Sequence, residues 1–218
     1  MKKILIVLAA LFAHALADEE ATRDPFAEGA EESAKRPQRL APSEKHLKRF
    51  DEPVLKGPAP VDSGDIRFIW VPTFNKPISI RATKTGDKVI LRVVRMAGKG
   101  GYEWEKIEVQ KALPLSQQQW KDLVTLASVD GAREPSQKAT KELREHFADA
   151  MSGLDGSTWY LEVRDKNGYT VEGVPNPFVG DEQEVKRIKE TTNLDFRPFL
   201  SVCLKLFELS GLDNRPNY

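Results

Sequence analysis

The stretch GSTWYLEVRDKNGYTVEGV (156–174) carries two glutamates, Glu162 and Glu172, on two strands turned back at Asp165-Lys166-Asn167-Gly168. Carboxylates facing each other across an antiparallel pair have Cβ atoms about 4.5–5.5 Å apart. Retaining glycosidases hold their two carboxyl groups at about 5 Å, so the chemistry at stake is glycan hydrolysis or cation binding. Which residues meet depends on the turn. Asn167-Gly168 as a two-residue primed turn sets Val163 against Glu172 and mixes the faces. A type I turn with Gly168 left-handed gives a three-residue loop and a bulge, setting Val163 against Val171, Arg164 against Thr170 and Glu162 against Glu172. The second closure is the expected one, because a one-residue slip would bury a glutamate. It points both carboxylates to water, with Arg164 diagonal to Glu172 and Arg81 or Arg92 on the same outer face. A solvated face of interleaved charges is favoured over catalysis there, since solvent screens the repulsion. The expected catalytic set is therefore none, with Glu162 and Glu172 as the alternative.

Other reactive side chains are sparse. His46 lies in a charged, low-complexity segment with nothing to orient it, and His146 sits beside Phe147 on a helix flank. Cys203, the single cysteine, falls on an apolar helical stripe, where a thiol is protonated and inert. These three are too few and too scattered for a zinc site, and no cofactor is expected. GKGG (98–101) lacks the spacing and the following Lys-Ser/Thr of a phosphate loop and reads as a flexible turn. Binding is the better prospect. Trp104, Tyr160, Arg81 and Arg92 can form an aromatic–cationic patch on the outer sheet face, unless a further layer covers them. Phe178, in the proline-stiffened loop VPNPFVGD (174–181), is either a plug under that loop or an exposed anchor.

The elements that must position these residues follow from periodicity. DIRFIWV (65–71), PISIRAT (77–83), DKVILRVVRM (87–96) and EWEKIEVQ (103–110) read as strands. A Thr85-Gly86 turn sets Ala82 against Val89, Ile80 against Leu91 and Ile78 against Val93 on the core face, with Ser79, Arg81 and Arg92 opposite. In EWEKIEVQ, Glu105, Ile107 and Val109 alternate on one side and Trp104, Lys106 and Glu108 on the other. Ser116 with Gln119 is a capping box opening a helix whose stripe is Trp120, Leu123, Val124 and Ala127. Further helices are expected at 137–151 and from Asp181 through DEQEVKRIKE. The last helix carries Phe196, Phe199, Leu200, Cys203, Leu206 and Phe207 on one stripe and ends at Gly211. The fold class is α+β, a mostly antiparallel sheet with helices packed on one face.

Residues 1–17 read as a signal peptide: Lys2-Lys3, an apolar run (4–15) too short to span a bilayer, then Ala15-Leu16-Ala17. Export with one cysteine leaves the fold to its apolar core. Residues 18–61 read as a charged, Pro-containing mobile arm, in which 43–50 can form a helical turn. A single domain at 62–214 and a tail at 215–218 complete the chain. Lys+Arg (33) equals Asp+Glu (33), which argues against nucleic acid and against electrostatic adhesion to anionic lipid. No stable membrane insertion is expected after cleavage.

LDGSTWYLEVRDKNGYTV (154–171), then FLSVCLKLFELSGL (199–212), resembles a group of small exported bacterial α+β proteins of uncharacterised function. There an L-D-G-x-x-W-x-L-E hairpin precedes a leucine-rich helix ending in L-S-G-L, and IRFIWVPTFNKPISIR (66–81) is similar to their opening strands. The resemblance covers most of 65–213, implies an α+β domain in the periplasm or medium, and supplies no catalytic residues. The expected function is a non-catalytic exported binding domain for an envelope protein or glycan. The alternative is a carboxylate-pair hydrolase acting on a cell-wall or other glycan.

Overall fold

The computed structural model describes residues 41–133, 156–175 and 196–213. Their β-branched runs form six strands: β1 (Ser63–Pro72), β2 (Ile78–Thr85), β3 (Lys88–Gly98), β4 (Trp104–Pro114), β5 (Ser157–Asp165) and β6 (Gly168–Pro175). They make one antiparallel sheet in the order β4-β3-β2-β1-β5-β6. Among the described residues three helices accompany it: α1 (Glu44–Arg49), α2 (Gln117–Ala127) and α3 (Arg197–Ser210). The fold is α+β. The helices expected at 137–151 and after Asp181, with His146 and Phe178, lie outside the described residues.

Alternation along the strands builds the inner face. Ile66, Phe68 and Trp70 of β1, Ile78 and Ile80 of β2, Leu91 and Val93 of β3, and Trp159, Leu161 and Val163 of β5 share one buried cluster with α2 and α3. The α3 stripe is buried throughout as its spacing requires, and Gly211 closes it in the left-handed conformation, φ 58°. The Ser116–Gln119 capping box forms. Val124 departs from the expected α2 stripe: it is exposed, and Leu126 packs on the core instead.

The β2–β3 register is offset from expectation by two residues. Ala82 pairs with Leu91 and Ile80 with Val93, because Thr85 and Lys88 close the hairpin around Gly86-Asp87. An offset of two preserves the faces, so the apolar set stays inward.

The larger correction concerns residues 43–61. They are not a mobile arm but a strap on the outer face of the sheet. Ser43 caps α1 by accepting from the His46 N–H, and Leu47 and Phe50 bury themselves against Ile69, Val94, Met96 and Tyr160. Leu55 and Ala59 are buried further along the strap, and the Ala59 N–H donates to the Asp165 carbonyl at 2.8 Å. Low apolar content suggested a segment without a core of its own; a few large side chains suffice when a sheet supplies the other half. The helical turn foreseen at 43–50 has this chain's own sheet as its partner.

Candidate functional site

On the outer face, register sets Glu162, Arg67, Arg81 and Arg92 side by side in one row across β5, β1, β2 and β3. Three adjacent guanidinium groups repel, and like charges directly opposite destabilise a sheet. The strap answers this with Glu52, whose side chain is fully buried. Glu52 accepts from Arg81 Nε at 2.6 Å, Arg92 Nη1 at 2.5 Å and Arg67 Nη1 at 3.2 Å. Asp51, just before it, takes a left-handed φ of 54°, which Asp tolerates, and accepts from Arg92 Nη2 at 2.9 Å. Arg67 also donates to Glu162 at 2.6 Å and to the Pro53 carbonyl at 2.7 Å. Burial opposes its charge, but Glu162 and Glu52 outweigh burial and raise its proton affinity above the ordinary arginine value. A second row, Arg164-Asp65-Thr83, is tied by Arg164 Nη2 to Asp65 at 2.6 Å and by Thr83 to Asp65 at 2.7 Å.

Glu162 and Glu172 do not meet. Glu162 pairs with Val171, and Glu172 pairs with Leu161, so the carboxylates sit on opposite faces of the sheet. The hairpin turns on Lys166-Asn167, with Asp165 opposite Gly168, a closure different from both that were weighed. The Asn167 N–H donates to Asp165 Oδ1 at 2.8 Å. Neither carboxylate points to water: Glu162 is 1% and Glu172 7% exposed. Glu162 is clamped between Arg67 and the Tyr169 hydroxyl, which donates to its other oxygen at 2.6 Å. Burial, then that carboxylate, push the Tyr169 phenol well above its usual value, so it stays a donor.

The aromatic–cationic patch exists and is covered. Trp104 stacks on His46 of α1 at 5.0 Å and meets Phe50 edge-on at 5.0 Å, with Arg49 over the ring at 5.4 Å. Tyr160 is buried beside Leu47 and Phe50. His46 is thus oriented, and burial first, then Arg49 and Lys45, lower its pKa. Bulges in β3–β4 around Met96 bring Trp104 and Ile107 into the same outer cluster, where strict alternation had separated them. Arg81, Arg92, Trp104 and Tyr160 all engage the strap or the charges around it.

An open site lies at one end of the sheet. The β1–β2 loop (73–77) and the β3–β4 loop (99–103) frame a cleft of about 970 Å3, lined at its inner side by Trp70, Ile78 and the α3 residue Phe207. Its rim carries Phe74, 43% exposed, stacked at 5.6 Å on Tyr102, 67% exposed. Lys99 Nζ stands 5.8 Å over the Phe74 ring. The 98–101 glycines, read as a flexible turn, are a pinned platform. Gly100 N–H donates to the Asn75 carbonyl at 3.1 Å, Gly101 N–H to the Thr73 carbonyl at 2.9 Å, and Trp104 Nε1 to the Gly100 carbonyl at 2.5 Å. A Cβ on Gly100 would stand 2.1 Å from the Pro72 carbonyl oxygen, so only glycine permits this approach. From sequence Tyr102 raises the same question as Phe178, plug or exposed anchor, but its stacking partner Phe74 was missed. Their signal was a lone aromatic in each of two loops at the same end of adjoining hairpins.

Cys203 is buried and free, and burial raises its thiol far above the ordinary value. Among the described residues no group of His, Cys, Asp and Glu is placed to hold a metal, and no helix is long and apolar enough to cross a membrane. No protein-family model matches the chain, and no curated protein matches it in sequence.

Proposed function

We propose that the chain is a non-catalytic binding domain, exported into the periplasm or medium of a bacterium, that holds an envelope partner at the Phe74–Tyr102 cleft. Export rests on the basic, apolar and small-residue pattern of 1–17 and on the resemblance to exported bacterial proteins. The observation that carries the binding reading is the pair of exposed, mutually stacked aromatics held on a pinned loop beside a cleft. A contiguous exposed apolar patch marks an interaction site where scattered single residues do not, and aromatic side chains supply many of the residues that dominate binding energy. The hydrolase alternative required Glu162 and Glu172 on one face, and their register separates them.

Two measurements test this. Mass analysis of the protein from fractionated cells should find it outside the cytoplasm, beginning at Asp18. Purified 18–218 should co-sediment with envelope material, and the F74A/Y102A variant should remain in the supernatant with an unchanged melting temperature. Equal sedimentation of both proteins would remove the cleft from consideration.

A further inference from the structure

Resting on that reading of the cleft, we infer that its ligand is an uncharged glycan, a short run of hexose or N-acetylhexosamine units, seated against Tyr102 and Phe74. The inference joins three observations. The first is the aromatic platform itself. The ring faces carry partial negative charge, which suits the C–H-rich faces of a pyranose ring, and Tyr102 has most of its surface free.

The second is a preformed cleft. Trp70, 4% exposed, and Ile78 close its inner side, and the Gly100 and Gly101 N–H bonds to the Asn75 and Thr73 carbonyls fix its rim. A site held in place before the ligand arrives loses little to ordering on binding.

The third is charge. Lys76 and Arg95 both line the cleft, and both are committed to Glu108, at 2.6 and 2.9 Å. Their pull, Lys76 first, holds the Glu108 carboxyl below the usual range. The remaining charged groups around the opening are Lys99 against Glu103, Glu105 and Asp213. With Glu108 counted, three cations face four carboxylates, so the cleft offers a polyanion no net positive charge, while its carboxylates and the Asn75 amide suit hydroxyl groups. The concave shape favours an oligosaccharide over a folded protein, whose interface would occupy about 800 Å2 of each partner.

The test is titration of 15N-labelled 18–218 with chitotetraose and, separately, cellotetraose, with heparin as the polyanion control. The expected result is saturable binding of at least one tetrasaccharide. Shifts should be confined to 72–77, 98–105 and the Trp70 indole N–H, with no saturable heparin binding. Y102A should weaken binding by about tenfold or more while the spectrum remains that of a folded protein. No saturation by either sugar up to about 10 mM, an affinity too weak to matter, overturns the inference, as does binding that maps elsewhere. Preference for heparin overturns it too. The two levels separate by comparison with the sedimentation experiment. If envelope retention depends on Phe74 and Tyr102 but is destroyed by protease treatment of the envelope, the glycan assignment fails and the cleft reading stands. If retention ignores both aromatics, the cleft reading fails as well.

Discussion

Replacing Glu52 by alanine tests the physical logic of the outer face. This carboxylate is fully buried and accepts from Arg67, Arg81 and Arg92, which register places in one row. Removing one partner from a buried ion pair costs about 3–5 kcal/mol, because the other charge is left without compensation. Here each arginine retains a second carboxylate: Glu162 for Arg67, Asp65 for Arg81 and Asp51 for Arg92. Arg81 and Arg92 also keep 16% and 17% of their side-chain surface exposed, so water can reach them. The expected loss therefore lies at the lower end, about 3 kcal/mol. For a chain of this size each kcal/mol moves Tm by about 2–4 °C, giving a fall of about 6–12 °C for E52A. E52Q, which keeps the volume and one acceptor, should fall between. Thermal and urea unfolding at low and high salt provide the assay, and the loss should persist at about 1 M salt, since buried pairs are poorly screened. A change under about 1 kcal/mol, the worth of an exposed pair, would refute the reasoning and return Glu52 to the surface.

Three further outcomes follow. A chain beginning at residue 41 should melt close to the 18–218 protein, whereas one beginning at residue 62 should melt far lower and expose Ile69, Val94, Met96 and Tyr160 to hydrophobic dyes. Acidification should loosen the strap through His46. Its folded pKa lies below the unfolded value of about 6.5, so the unfolded state binds more protons in that window and stability falls as pH drops from 7 through it. H46F should flatten that limb, measured as Tm between about pH 7 and pH 5. G100A should abolish tetrasaccharide binding and lower Tm, since its Cβ meets the Pro72 carbonyl oxygen.

What the sequence made legible was whatever depended on parity and local chemistry. The inward set on β2 and β3, the Ser116–Gln119 box and the α3 stripe with Gly211 all follow from spacing alone. What it concealed depended on long-range pairing. Glu162 and Glu172 parted because one turn chose Lys166-Asn167, and a turn shifted by one residue changes which faces meet. Trp104 and Ile107 joined one cluster because bulges reset the alternation. The strap was missed because Leu47, Phe50 and Leu55 are sparse among charges, although the arginine row they cover was already implicit. Arg81 and Arg92 were placed outward from sequence, and three outward arginines in register call for a buried acid. The cleft required two loops distant in sequence to meet at Gly100.

The proposed binding surface is the sheet end bearing Phe74 and Tyr102, whereas residues 43–61 cover the part of the outer face that holds Tyr160 and Arg67. Envelope retention and Tm measured together on F74A/Y102A and on Y160A separate the two surfaces. The expected result is lost retention at unchanged Tm for the first and a Tm several degrees lower for the second, since Tyr160 is only 8% exposed. Lost retention at unchanged Tm for Y160A, with F74A/Y102A still bound, would contradict it.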